Sequence, residues 1–373
     1  MSEQRKINVA ALMGGRTAEH EVSLNTGRMV AAALDKAKYN VKPVVITKEG
    51  KWVLPAGYLR ELPSGGAEDT DLTAGMRESE PVSPGEALAR ATDEKVAESA
   101  DEHIDVVFIA MHGPYGEDGT VQGLLEIAGI PYTGSNVLAS ALAMDKAKSR
   151  EVFAQHGLRV PSYEVVTAGE WQGDRGSAVR RVVAGLGLPV VTKPAALGSS
   201  VGVTICETEG QLAQGIEQAF EYGERALVDE FIGGIEVACG VLEVLGSEEP
   251  MALPPTEIVP KESAFFDYHC KYIPGATEEI TPARIDAELT ATVQRMAVAA
   301  HRALGCGGVT RADFLIRDRE VFLLEINTIP GMTETSLVPQ AAKVAGIGFP
   351  ELLDRLVQLA LEAHARKRIK TAR

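Results

Sequence analysis

Three clusters of polar residues stand out against the apolar runs that carry them. The first is Gly198-Ser199-Ser200-Val201-Gly202, which follows Lys193. Glycines let a backbone approach a ligand and reach positive φ, and free N–H groups beside two hydroxyls suit an anion. The segment lacks the Gly-Lys-Ser/Thr ending of a Walker A loop, and no G-x-G-x-x-G opens a helix. Lys193 is a lone charge in the apolar stretch Pro189-Val-Val-Thr-Lys-Pro194, where burial without a partner is costly. A phosphate is a suitable partner, and Lys146 in Met144-Asp145-Lys146 is a second cation of that kind. The second cluster joins Arg311-Ala-Asp313 to Glu325-Ile-Asn327, in apolar runs linked by Arg317-Asp318-Arg319. A hairpin through that link sets Asp313 across the ladder from Glu325. Two carboxylates so placed repel unless a cation lies between them, and hard oxygens with an added amide suit Mg²⁺ on nucleotide phosphates. Gly331 extends this cluster. The third runs from Gly14-Gly15-Arg16 to Ser23, after a strand and at a helix start, where open sheets bind ligands. Each cluster has a plain structural alternative as well: a tight turn, surface strand acids, a capped loop.

These residues need elements to hold them. Ile7–Met13 reads as a buried strand ended by Gly14-Gly15, followed by a helix over Glu21–Ala37 and a strand over Val41–Thr47. Residues 55–101 are rich in acids, Gly and Pro and read as an insertion. Asp105–Met111 resumes the fold as a strand that ends in His112-Gly113. Strands alternating with helices predict a parallel sheet covered on both faces. A helix follows over Ser135–His156 with Gly157 at its C′ position, then a polar connection over Thr167–Ser177. Next come a strand into Lys193, a helix over Thr208–Tyr222, and strands at Ala226–Phe231 and Glu236–Leu245. Residues 260–280 read as a long functional loop. Ile285, Leu289, Val293, Met296, Ala300 and Leu304 lie on one face of a further helix. Strands at Val309–Ile316 and Val321–Glu325, a Gly/Pro/Thr/Ser loop and a helix over Pro350–His364 complete the chain, with a solvated basic tail at 365–373.

The 373 residues suggest two or three domains, and 45% hydrophobic residues suffice for several cores. Thirty-seven Lys and Arg against 52 Asp and Glu leave a charge of −15, a poor counterion for nucleic acid. No apolar run is long enough to span a bilayer, and the first residues lack signal-peptide character. The four cysteines form no CxxC, which argues against zinc or a disulfide framework and for a reducing, cytoplasmic setting.

With these residues in view, the chain resembles the D-alanine–D-alanine ligases, members of the ATP-grasp carboxylate–amine ligases. The matching stretches are Gly14–Leu24, His112–Gly119, Pro131–Ser135 with Met144-Asp-Lys146, and Lys193-Pro194 with Gly198–Gly202. Tyr268–Tyr272, Arg311–Phe314 and Glu325–Thr333 complete the set, in the family's order. The resemblance implies an α/β fold of three-domain ATP-grasp architecture. An N-terminal parallel-sheet domain covers 1–136 with the acidic insert at about 55–101, and two α+β domains clamp ATP. These are a central subdomain at 137–227 and a C-terminal domain at 228–364 bearing a lid loop at 260–280. It also implies that two D-alanines are joined through a D-alanyl phosphate, for peptidoglycan precursor synthesis, in a cytoplasmic homodimer without nucleic-acid or membrane partners.

By motif match, Lys146, Lys193 and Lys271 resemble the phosphate ligands, with Ser200 in the phosphate loop. Asp313, Glu325 and Asn327 resemble the ligands of Mg²⁺ or Mn²⁺, with two ions expected. Glu236 matches the ribose carboxylate, and Asp229-Glu230-Phe231-Ile232 the adenine hinge. Glu19, with His112 near it, resembles the group holding the first D-alanine's ammonium. Arg311 and the Gly331 amide match the oxyanion donors, and Ser336 with the Leu337 backbone matches the clamp on the second carboxylate. Ser199, Tyr272 and Glu19 resemble a trio that ties the lid shut. Two departures stand out: Ala196-Leu197 precede the phosphate loop where relatives often carry a polar residue, and Asp229 stands where Glu is usual.

Two rival readings exist. One is a D-alanine–D-lactate or D-alanine–D-serine ligase of the same family. Tyr272 speaks against the lactate form, which commonly carries His in this loop, and His269 is out of register with that substitution. The other is a non-catalytic ATP-binding module, which predicts a lost metal ligand or oxyanion arginine; none is lost.

Overall fold

The computed structural model describes residues 5–53, 82–86, 103–198, 201–261 and 277–371. The acidic insert (apart from 82–86), Ser199, Ser200 and most of the 260–280 loop, including Lys271 and Tyr272, lie outside them. Packing divides the chain into two compact units, Met1–Val137 with Glu243–Glu248 and Ile329–Arg373, and Leu138–Leu242 with Glu249–Thr328. Among the described residues no helix is long and apolar enough to cross a membrane.

The first unit opens with β1 (Ile7–Gly14), α1 (His20–Ala33), β2 (Tyr39–Ile46), β3 (Trp52–Val53), β4 (Val106–Ile109) and α2 (Thr120–Ile127). The sheet order is β3-β2-β1-β4, and β1 runs parallel to both β2 and β4, as the strand–helix alternation predicts. A parallel strand is covered on both faces, and Val9 through Met13 are at most 1% exposed. The first helix stops before Ala37 because the Asp35 carboxylate accepts the Ala37 N–H at 2.8 Å, a local bond that competes with the helix.

In the second unit, the predicted helix over Ser135–His156 is two helices, α3 (Val137–Met144) and α4 (Lys146–Gln155). Asp145 leaves helical geometry (φ −86°, ψ 94°) and its carboxylate accepts from Lys148 N, which caps α4. Lys146 N turns instead to Ala195 O at 2.8 Å. Gly157 does end α4 in the left-handed region (φ 73°). Leu158 N on Phe153 O and Gly157 N on Ala154 O, each at 3.0 Å, make a Schellman turn there.

The first sheet of this unit is antiparallel. Along the chain come β5 (Tyr163–Thr167), α5 (Ala168–Gly173), α6 (Arg175–Leu186), β6 (Val190–Pro194), β7 (Thr204–Cys206), α7 (Glu209–Phe220) and β8 (Arg225–Glu230). The strand order is β5-β8-β6-β7. The expected connection at Thr167–Ser177 holds α5 and the start of α6, set by a capping box between Thr167 and Glu170 and by the Asp174 cap on Ser177 N. The expected boundary at 227/228 falls inside β8, whose ladder partners are β5 and β6.

The second sheet contains β9 (Ile235–Leu242), β10 (Met251–Ala252), β11 (Thr256–Pro260) and β12 (Thr277–Ile280), then, after α8 (Ala287–Ala303), β13 (Val309–Arg317) and β14 (Glu320–Asn327). Its order is β12-β11-β9-β13-β14, with β10 on β9. The predicted face of α8 packs on it: Val293 and Ala300 are fully buried, with Leu289 and Met296 beside them.

The chain then returns to the first unit with α9 (Leu337–Val344) and α10 (Phe349–Thr371). Leu352, Leu353, Leu356 and Val357 are buried, and α10 packs on α1 and β4. The expectation that this helix belongs with a C-terminal domain overlooked that the parallel sheet needs a second cover. Tyr39 donates to Asp354 Oδ1 at 2.6 Å and accepts from Gln358 Nε2 at 3.0 Å, fastening α10 to β2. Nor is the basic tail a frayed end, since α10 continues to Thr371 and Lys367 pairs with Glu126 at 2.6 Å.

Candidate active site

A cleft of about 220 Å³ in the second unit is lined by Lys146, Lys193, Asp229, Glu230, Phe231, Ile232, Glu236, Asp313 and Glu325. Its apolar walls are Val191, Ile205, Ile258, Leu315 and Leu324. Alternation along β6 explains how a lysine enters an apolar strand. Val190, Thr192 and Pro194 are buried, whereas Val191 and Lys193 are half-buried and face the cleft. The segment from Asp229 to Glu236 passes from one sheet of the unit to the other. A Cβ on Gly234 would meet Ile316 O at 2.1 Å, so only glycine lets the hinge lie this close to β13.

Lys193 is not a lone charge awaiting a phosphate: its ammonium lies 2.7 Å from Asp229 Oδ2. Arg150 holds the other side of Asp229, with Nη2 donating to Oδ2 at 2.9 Å and Nη1 bonded to Oδ1. Burial pushes the Asp229 carboxyl up, but Arg150 and Lys193 outweigh it and hold the group below the usual carboxylate range. Burial draws the Lys193 ammonium below its ordinary value, opposed by Asp229. The Asp229 side chain is thus engaged behind the hinge, while Glu230 accepts from Ser162 N at 2.8 Å.

The β13–β14 hairpin pairs Asp313 with Glu325, the expected pair, and also Arg311 with Asn327. The register shifts next to this pair, because Phe314 faces Leu323 and Leu324 is the extra residue of a bulge. Cross-strand partners share a face, so both pairs project from the same side of the sheet. Arg311 Nε and Nη2 bind the two Asp313 oxygens at 2.7 Å each. Lys146 Nζ sits 2.8 Å from Glu325 Oε2 and donates to Leu197 O at 2.8 Å. Two carboxylates and an amide are few protein ligands for a cation. Among the described residues no three His, Cys, Asp or Glu side chains gather. Such a sparse oxygen set fits Mg²⁺ or Mn²⁺ that takes further ligands from phosphates and water.

The first unit gathers the residues expected at the substrates. Glu19, His112 and Thr26 are buried. Gly113 adopts φ 71°, and a Cβ there would lie 2.6 Å from Glu19 Oε2. Only a glycine leaves room for that carboxylate. His112 bonds through Nε2 to Thr26 Oγ1 at 3.0 Å, and its Nδ1 lies 3.5 Å from Glu117 Oε1. Burial raises the Glu117 carboxyl, His112 opposes this, and Glu19 adds to it. Gly331, Ser336 and Leu337 meet at the start of α9. The Ser336 hydroxyl accepts from Thr333 N at 3.1 Å, and a Cβ on Gly331 would come within 2.9 Å of it. Helix N–H groups point outward at such a start and suit a carboxylate.

In the segment expected to hold phosphate, Gly202 takes positive φ (73°), but Gly198 does not. Nothing in the sequence singles out Arg150, which reads as one more basic helix residue beside Lys146 and Lys148. The apolar walls of the cleft were equally silent, since they read as ordinary core.

Known proteins place this geometry in a family. The model for the D-ala D-ala ligase N-terminus matches residues 8–135, and that for the C-terminus matches 152–358. A D-alanine--D-alanine ligase of Bacillus cytotoxicus is 41% identical over 97% of this chain and 98% of its own length. Among solved structures, the VanG D-Ala:D-Ser ligase from Enterococcus faecalis is 33% identical with a TM-score of 0.80, covering 95% of this chain and 100% of that one. The D-alanine--D-alanine ligase from Bacillus anthracis complexed with ATP is 29% identical with a TM-score of 0.71, over 97% and 99%. Since the family models span most of the sequence and the relatives are matched nearly end to end, the chain belongs to the D-alanine–D-alanine ligase family and has its ATP-grasp fold.

Proposed function

We propose that this chain joins two D-alanines into D-alanyl-D-alanine at the expense of ATP, as a step toward peptidoglycan precursors. The observation that carries the reading is the cleft itself, where Lys146, Lys193, Asp313 and Glu325 share one space with the apolar walls Val191, Ile205, Ile258, Leu315 and Leu324. A carboxylate is a poor electrophile, so ATP must first phosphorylate the first D-alanine before the second amine displaces phosphate. Such transfer depends on positioning and charge neutralisation.

Lys146 and Lys193 bind the phosphates, joined by Lys271, and the phosphate loop with Ser200 covers them. Glu236 takes the ribose. The backbone of Glu230–Ile232 takes the adenine, since the Asp229 carboxylate is committed to Arg150 and Lys193. Asp313, Glu325 and Asn327 would hold Mg²⁺ or Mn²⁺, which supplies further neutralisation of phosphate charge. Glu19 receives the first D-alanine's ammonium, with His112 near it. Ser336 and Leu337 receive the second carboxylate. Arg311 and the Gly331 amide are the oxyanion donors, and Ser199 and Tyr272 act with Glu19 in closing the 260–280 lid. We assign a homodimer on family grounds, and a cytosolic setting in which the free thiols of Cys206, Cys239 and Cys306 stay reduced.

One rival to test is D-serine as the second substrate, which the name of the VanG D-Ala:D-Ser ligase gives for that protein. Release of ADP with D-alanine alone, and with D-serine, D-lactate or L-alanine added as second substrate, separates the readings. D-alanine alone should support the fastest turnover. Turnover that requires D-serine would replace this reading, and nucleotide binding without turnover on any of them would leave a binding module.

A further inference from the structure

Arg150 is fully buried on α4, one turn after Lys146 and on the same helix face. Its guanidinium spans both oxygens of Asp229, and Nη2 also reaches Leu324 O, the bulged residue beside Glu325, at 3.4 Å. The Tyr163 ring lies 5.4 Å away, while Nε has no partner among the described residues. A buried ion pair seldom adds stability over an apolar filling of the same volume, so packing alone gives little reason for an arginine here. Charge does. Asp229 next to Lys193 would cancel the ammonium that faces the cleft. With Arg150 the trio keeps one net positive charge, and the rigid fork holds the carboxylate in place.

We propose that Arg150 is a positioning residue for the nucleotide: it neutralises and fixes Asp229, so that the Lys193 charge stays available to the phosphates. The inference rests on the ATP reading above. Wild-type protein that binds no nucleotide defeats that reading, whereas nucleotide binding insensitive to Arg150 defeats only this one.

The test is calorimetric titration of the full chain with a non-hydrolysable ATP analogue plus Mg²⁺ and, separately, with adenosine, beside melting curves. Arg150→Met and Arg150→Gln should weaken the analogue about tenfold, the scale of one lost charge-assisted contact, and adenosine by less than about twofold. Arg150→Lys should stay within about threefold of wild type, and the double variant Arg150→Met/Asp229→Asn should recover most of the loss, because it restores the charge of Lys193. The KM for ATP should rise with the single variants while that for D-alanine holds. Equal losses for analogue and adenosine, or no recovery in the double variant, would reduce Arg150 to a packing role. If Arg150→Met does not melt cooperatively, Arg150→Gln against Arg150→Lys makes the same comparison, and equal affinities there overturn the proposal.

Discussion

Asp313 meets Glu325 through two local irregularities. Asp318 and Arg319 both take positive φ (49° and 67°), which gives a two-residue turn between the paired Arg317 and Glu320. An unbroken ladder from that turn would set Asp313 against Leu324 and send Glu325 to the opposite face. The bulge at Leu324 corrects the count. The sequence shows the two acids in strands joined by a short turn, and so their pairing was legible. Neither the turn type nor the bulge was, because Asp-Arg is not a usual turn pair and bulges leave no composition signal. Asp313→Asn and Glu325→Gln should each remove most D-alanine-dependent ADP release while the melting temperature changes little, since both side chains face the cleft rather than fill the core. Turnover near wild type in both would end their assignment to the cation. Arg150 marks the limit of reading residues one at a time: its role exists only once α4 is packed behind β8.

Helix α4 shows how one cap positions two cations. The Asp145 carboxylate closes the helix start and also pairs with Arg225 at 2.5 Å. Asp145→Ala should cost about 1 kcal/mol from the cap alone and raise the KM for ATP, because Lys146 is the residue that the cap orients. A melting shift with an unchanged KM would leave the cap purely structural. The break was missed because apolar periodicity runs straight through Met144, and only the Asp-x-x-Lys spacing hints at it. Helix α8 contributes the pH dependence. His301 lies buried in its last turn against Thr310 Oγ1 at 2.8 Å, and burial lowers its pKa to about 4. The unfolded imidazole takes a proton near pH 6.5, so between there and pH 4 the unfolded state binds more protons. Stability is complete above that window and falls as pH drops through it, by roughly 3 kcal/mol in all. Urea midpoints at pH 4.5 and 7 should show this loss in wild type and a smaller one in His301→Gln.

At the scale of the whole molecule, the parallel sheet of the first unit and the hairpin of the second were readable from period and spacing. The membership of Ile329–Arg373 was not, because a Leu-rich helix face reports that it needs a partner without saying which. Tyr39 joins the two distant segments of the first unit, and burial and Asp354 push its hydroxyl up to about 12. Tyr39→Phe should therefore lower stability by about 1 kcal/mol without altering D-alanine ligation, as read from a melting curve and ADP release together. The discontinuity of this unit also bears on synthesis. A ribosome finishes residues 138–328 before it makes 349–371, so the second unit can close while α1 and β4 still lack the helix that packs on them. The part of the chain begun first is the part completed last, and until α10 emerges its exposed apolar face is what a chaperone would meet.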